Sequence, residues 1–301
     1  MIAEKDIIGN RKCIRYLDKV LEKGCVCHAY LFEGPEHVGK MKVALAFAGE
    51  LLGDNSGNIA SNPDFIHIFP DKEERQIGVE AIRQLQKDLS LYPFKASYKV
   101  AVIEKADMMS LSSANSLLKT LEEPGATSVI ILVTAEMEKV LPTIQSRCQI
   151  LSFGPVFDEE IRNLLLSKKG SATEIEDILE IAQGRPGLAL RLFDDREHFR
   201  RMDMDRKKVL GFFHMGDYSK MESISHIYDM EKEQAAEVLD GWIVALRSEM
   251  LKDLRKSGSE EKEHIAKIKA AIERTSSVRE DIMERNVNLR LALENLVLSF
   301  K

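Results

Sequence analysis

"HAYLFEGPEHVGKMKVA", residues 28–44, decides the fold. A short apolar run from His28 to Phe32 leads into Gly34, four further residues, Gly39 and Lys40. An apolar helical pattern then continues through Val43, Leu45, Ala46, Phe47 and Leu51. Strand, glycine loop and helix, in that order, are what a phosphate cradle needs. Small residues let successive backbone N–H groups converge on a phosphate, the lysine neutralises charge, and the helix presents its positive end. Met41 breaks the pattern, because a hydroxyl normally stands there to hold magnesium. Taken alone, the same glycines could mark nothing more than a turn between a strand and a helix.

Outward from the loop the period alternates between strand and helix. Residues 10–24 read as an amphipathic helix stopped by Gly24, and 52–63 as a polar connection. A strand is expected at 65–69, a helix at 79–91, a buried strand at 99–104, a helix at 112–123 ending before Pro124, and a β-branched strand at 128–134. Such alternation implies an α/β module with a parallel sheet covered on both faces. After about residue 155 only helical patterns remain: short ones over 158–194 broken at Gly170 and at "GRPG", 184–187, then a long face of Ala235, Val238, Leu239, Trp242, Ile243, Leu246 and Met250. "KSGSEEKE", 256–263, reads as an exposed loop. The chain is thus expected in three parts: an α/β domain over 1–155, a small helical lid over 156–198 and an all-α C-terminal domain over 199–301.

Composition narrows the class of function. With 44% apolar and 31% charged residues over 301 positions, disordered and fibrous classes drop out. A formal net charge of −6 gives no bulk attraction to nucleic acid. No apolar run approaches the ~20 residues of a membrane span, and the polar "MIAEKD" start does not read as a secretory signal; a cytoplasmic protein without membrane contact is expected. Of the four cysteines, Cys25 and Cys27 have one residue between them and no second pair stands at zinc-ligand spacing. No metal site is expected.

Two later motifs bear on chemistry. P-loop ATPases place an Asp for magnesium and commonly a Glu for water activation at the end of a later strand. "VAVIEKAD", 100–107, offers Glu104 and then Lys105, and a lysine cannot activate water as a carboxylate does at neutral pH. "QSRCQ", 145–149, holds Arg147. An arginine there can pair with a surface acid, or act at a subunit edge as a finger on a nucleotide held next door. Residue chemistry by itself leaves both open.

Together, "HAYLFEGPEHVGK", "VAVIEKAD", "SANSLLKTLEEP", "LPTIQSRCQ" and "NVNLRLALENLVL" resemble the clamp loader subunits of bacterial DNA polymerase III, and among them the delta-prime type. The resemblance runs in order along essentially the whole chain. It implies an AAA+ P-loop module, a helical lid and a collar through which five subunits assemble. It also implies partners: gamma or tau and delta subunits, a sliding clamp and primed DNA. The delta-prime type does not itself turn over ATP.

By the same resemblance Gly34, Gly39 and Lys40 match the Walker A loop, Glu104 and Lys105 the Walker B acidic pair, and Thr134 falls near sensor 1. Arg147 matches the finger that reaches the adjacent subunit's nucleotide. Gly187 stands where a sensor 2 base would be, and Arg185 is the nearby candidate substitute. The cysteine module of many relatives is absent from 52–64, so zinc is not expected. The retained loop leaves room for ATP or ADP held without turnover. The alternative is an active ATPase of gamma or tau type, which would need the magnesium hydroxyl and the acidic pair.

Overall fold

The computed structural model describes residues 1–2, 7–54, 58–71, 76–254, 259–285 and 287–300. It divides into two compact units, Met1–Asn163 with Gly184–Leu188, and Leu164–Gln183 with Ala189–Lys301.

In the first unit, β1 (Ala29–Glu33), β2 (Phe65–Ile68), β3 (Lys99–Ile103), β4 (Ser128–Val133) and β5 (Gln149–Ser152) form, among the described residues, a five-stranded sheet. Its order is β2-β3-β4-β1-β5, and every pairing is parallel. Parallel neighbours require crossovers, supplied by α2 (Lys40–Leu52), α3 (Val79–Ser90), α4 (Leu111–Glu122) and α5 (Pro142–Gln145), with α1 (Arg11–Lys23) before β1.

Side chains alternate across a strand, so the central strands must be apolar on both faces. Tyr30, Phe32, Val100, Val102, Val129 and Ile131 pack with Ile14 and Leu17 of α1 and Val43 and Phe47 of α2. The intervening Leu31, Ala101, Ile103, Ile130 and Leu132 pack with Ile82 and Leu85 of α3, Leu117 and Leu121 of α4, and Ile144 of α5. This is the double-sided cover expected from the alternation. The short strand β5 breaks that pattern, since only Leu151 is buried in it. An edge strand covered on one face carries too little apolar signal to stand out.

The second unit is helical: α7 (Ala172–Ala182), α9 (Arg196–Gly211), α10 (Asp217–Ile224), α11 (Lys232–Leu254), α12 (Ser259–Glu284) and α13 (Leu289–Leu298). Trp242, Leu239 and Leu246 of α11 meet Phe212, Ile268 of α12, Leu293 and Leu296 of α13, and Phe300. Phe212 stands edge-on to Trp242 at 5.2 Å and to Phe300 at 5.5 Å, the orientation favoured by ring quadrupoles. The apolar face read along 235–250 is therefore spent within its own unit. The expected loop at 256–263 is corrected in part: 255–258 lie outside the described residues, and Ser259 already begins α12. Lys, Glu and Ala are good helix formers, which explains the extension. The remaining helices, α6 (Asp158–Ser167) and α8 (Pro186–Asp194), follow the breaks expected at Gly170 and at 184–187.

Candidate functional site

The glycine loop leaves the C-terminal end of β1 and closes at Lys40, the first residue of α2. Gly34 adopts a φ of +132°, and a Cβ there would lie 2.0 Å from the Phe153 carbonyl oxygen, so no side chain fits. Asn10 braces the loop from outside: its amide nitrogen donates to the Val38 and Gly154 carbonyls at 3.3 and 3.2 Å, and its oxygen accepts from the Gly154 N–H at 2.9 Å. Gly187, at the start of α8, donates its N–H to the His37 carbonyl at 2.8 Å.

Lys40 is buried, and its Nζ donates to the loop's own carbonyls, Gly34 at 2.5 Å and Pro35 at 2.6 Å. Burial pulls this ammonium below the ordinary lysine value, while Glu36, Asp107 and Glu33 partly restore it. Lys40 could meet a phosphate only by exchanging these carbonyls for it. A magnesium ion is not fitted. Met41 is half-buried and packs against the core beside the sheet, and Glu104 lies 3.3 Å from His67 of the edge strand β2. Lys105, in the second acidic position, sits in the left-handed region at φ 53°.

Thr134 follows β4 and is buried. Its hydroxyl donates to Asp107 at 2.6 Å and accepts from the Glu136 N–H at 3.1 Å. Asp107 also accepts from the Ala135 N–H at 3.2 Å. Thr134 thus reaches the loop region through a carboxylate that no sequence motif singles out. The usable signal is an acid three residues past Glu104, in the 3-10 turn Ala106–Met108 that follows β3.

Arg147 lies elsewhere. It precedes β5, whose Gln149 is level with Tyr30 near the start of β1, whereas Lys40 lies beyond the end of β1. A five-residue strand separates the two by on the order of 15 Å. The guanidinium is partly exposed, with Nη1 donating to the Thr143 carbonyl at 2.9 Å and to Ser146 Oγ at 3.3 Å, and Nη2 to Glu122 Oε1 at 2.7 Å. An ion pair this exposed contributes about 0–1 kcal/mol. Next to it Cys148 turns inward, and burial pushes its thiol up to about 12. A cavity of about 480 Å³ opens at this end of the sheet, lined by Tyr98, Pro124, Ser128, Ser146, Arg147 and Gln149 among others.

A glycine loop entering a helix, on a parallel sheet of this strand order with a helical region following, defines an α/β module of the phosphate-loop kind. The fold is shared with a DNA polymerase III gamma subunit-related protein of Thermotoga maritima, at a TM-score of 0.52 and 17% identity over 94% of this chain and 98% of that one. Residues 9–157 match the family described as DNA polymerase III, delta subunit. The chain is 31% identical over 227 residues to the DNA polymerase III gamma subunit of Buchnera aphidicola subsp. Schizaphis graminum, covering 68% of this chain and 61% of the relative. It is 32% identical over 170 residues to the delta-prime subunit of Bacillus subtilis, covering 52% and 51%. The chain spans about half to three-fifths of the length of these two relatives. It belongs to the DNA polymerase III clamp loader subunits, within the AAA+ class.

Proposed function

We propose that this chain is a non-hydrolysing clamp loader subunit of delta-prime kind, whose Arg147 acts on a nucleotide held by a neighbouring ATPase subunit. The observation that carries this is the separation of Arg147 from its own phosphate loop by the length of β1. An arginine so placed can stabilise phosphate charge only on a nucleotide presented by another chain. The loop's own state agrees: Lys40 is engaged by loop carbonyls, position 41 is a half-buried thioether packed against the core, and Lys105 replaces a water-activating acid. ATP or ADP taken up by Gly34, Gly39 and Lys40 would be held without turnover.

In this reading the partners are gamma or tau and delta subunits in a hetero-pentamer, and through it a sliding clamp and primed DNA. The test is reconstitution. The purified chain with ATP and magnesium shows no turnover, and Arg147→Ala lowers ATP turnover of the mixed complex without changing its stoichiometry. Turnover by the chain alone that Lys40→Ala abolishes would favour the gamma or tau reading, which the kinship to gamma subunits keeps in play. Unchanged turnover of the mixed complex would remove the finger role.

A further inference from the structure

We infer that Glu122 is the positioning residue of Arg147: it holds the guanidinium ready for the neighbour's nucleotide. This rests on the finger reading above. Glu122 occupies the last turn of α4, followed by Glu123 and then Pro124. Helix physics argues against a carboxylate there, since carbonyl oxygens already make that end negative, and two adjacent acids repel. Lys119, the basic residue of that turn, is the i,i+3 neighbour of Glu122. The Glu122 Oε1 accepts from Arg147 Nη2 at 2.7 Å, across 25 residues of sequence. With both side chains partly exposed, the pair adds little to folding and is better explained by orientation.

The geometry suits that role. A free arginine carries large rotamer entropy, and a finger must lose it whenever it meets a phosphate. Here the loss is settled beforehand at three points: Thr143 O and Ser146 Oγ hold Nη1, and Glu122 holds Nη2. These bonds use three of the five N–H donors, and the remaining two suffice for a bidentate phosphate contact. The scaffold behind Glu122 is fixed as well, because Gln86 of α3 donates to Ser116 O at 2.8 Å and Thr120 Oγ1 at 3.0 Å, tying α4 in place.

The test is a double-mutant cycle in the full complex reconstituted with gamma- and delta-type subunits, ATP and primed DNA. Glu122→Ala is expected to lower kcat for ATP roughly 3- to 10-fold with KM unchanged, short of the ~10²-fold that an ångström of misplacement can cost. Glu122→Gln, which keeps an acceptor, should retain more of the rate. In the Arg147→Ala background Glu122→Ala should change nothing further. A further loss in that background, a rise in kcat, or no effect of Glu122→Ala where Arg147→Ala has one overturns the positioning role alone. No effect of Arg147→Ala overturns the finger reading and this inference with it.

Discussion

The N–H of Gly187 donates to the carbonyl of His37 at 2.8 Å, so the position where family resemblance expects a sensor arginine is instead a backbone contact onto the phosphate loop. A Cβ at Gly187 would lie 3.0 Å from the His37 oxygen and 3.3 Å from its Cα. His37 itself sits at φ 63°. Close approach of two backbones, rather than turn geometry, makes glycine the fitting residue here.

Gly187→Ala therefore has an expected sign opposite to the helix rule. In an exposed helix that change gains up to ~1 kcal/mol. Here the loop backbone must give way and the hydrogen bond weakens, for a net loss of about 1 kcal/mol. Urea unfolding measures it, and a stabilised variant would refute the close contact.

Lys40 gives a pH signature. Its folded value lies below the ordinary lysine value near 10.5. Between those two values the unfolded chain binds more protons, so stability rises with pH through the window just below 10.5 and gains nothing further above it. Lys40→Met removes that rise. Parallel unfolding curves for the two proteins across alkaline pH would count against a buried ammonium. ADP, if it enters the loop, flattens the slope of the unmutated chain, because phosphate charge favours the ammonium.

Asp64 braces the first unit at the entry to β2. It is fully buried, and its carboxylate accepts from the N–H groups of Phe94, Lys95 and Ala96 at 2.6, 2.8 and 2.9 Å. Burial raises its pKa, but the three N–H bonds and Lys99 outweigh that and leave it below the ordinary carboxylate value. Its contribution is complete above the unfolded value near ~3.9 and is lost as pH falls through the depressed folded one. Asp64→Asn should cost about 2 kcal/mol at neutral pH. Chemical denaturation at pH 7 and in acid reads both, and the variant should lack the acid loss that this residue contributes.

Cys148 and Cys25 should differ in reactivity. Cys148, held at about 12 by burial, is almost wholly a protonated thiol at neutral pH, and the thiolate is the nucleophile. Cys25 is exposed. Iodoacetamide followed by peptide mass analysis should modify Cys25 first, and rapid modification of Cys148 in the folded chain would contradict its inward packing.

Legibility follows apolar pattern. Val100 and Val102 against Ala101 and Ile103 betray a strand covered on both faces, because a short β-branched run with no polar residue must bury both of its sides. β5 escapes such a reading because Leu151 alone is buried in it. Asp107 escapes it because a lone acid in a single 3-10 turn has no period, and its partner Thr134 comes from the end of the adjacent strand β4. The α12 start at Ser259 reads as loop because its charged residues suit either state.

The sequence by itself determined the α/β order, the apolar faces, the phosphate loop and the absence of a hydroxyl at Met41, since all of these are carried by residue identity and spacing. Only the tertiary structure decided direction: Lys40 turned into its own loop, Met41 against the core, Arg147 outward beside Glu122. Parallel strand order then placed Lys40 and Arg147 at opposite ends of one sheet. Contacts between residues far apart in the chain depend on register and crossover, which no local pattern encodes.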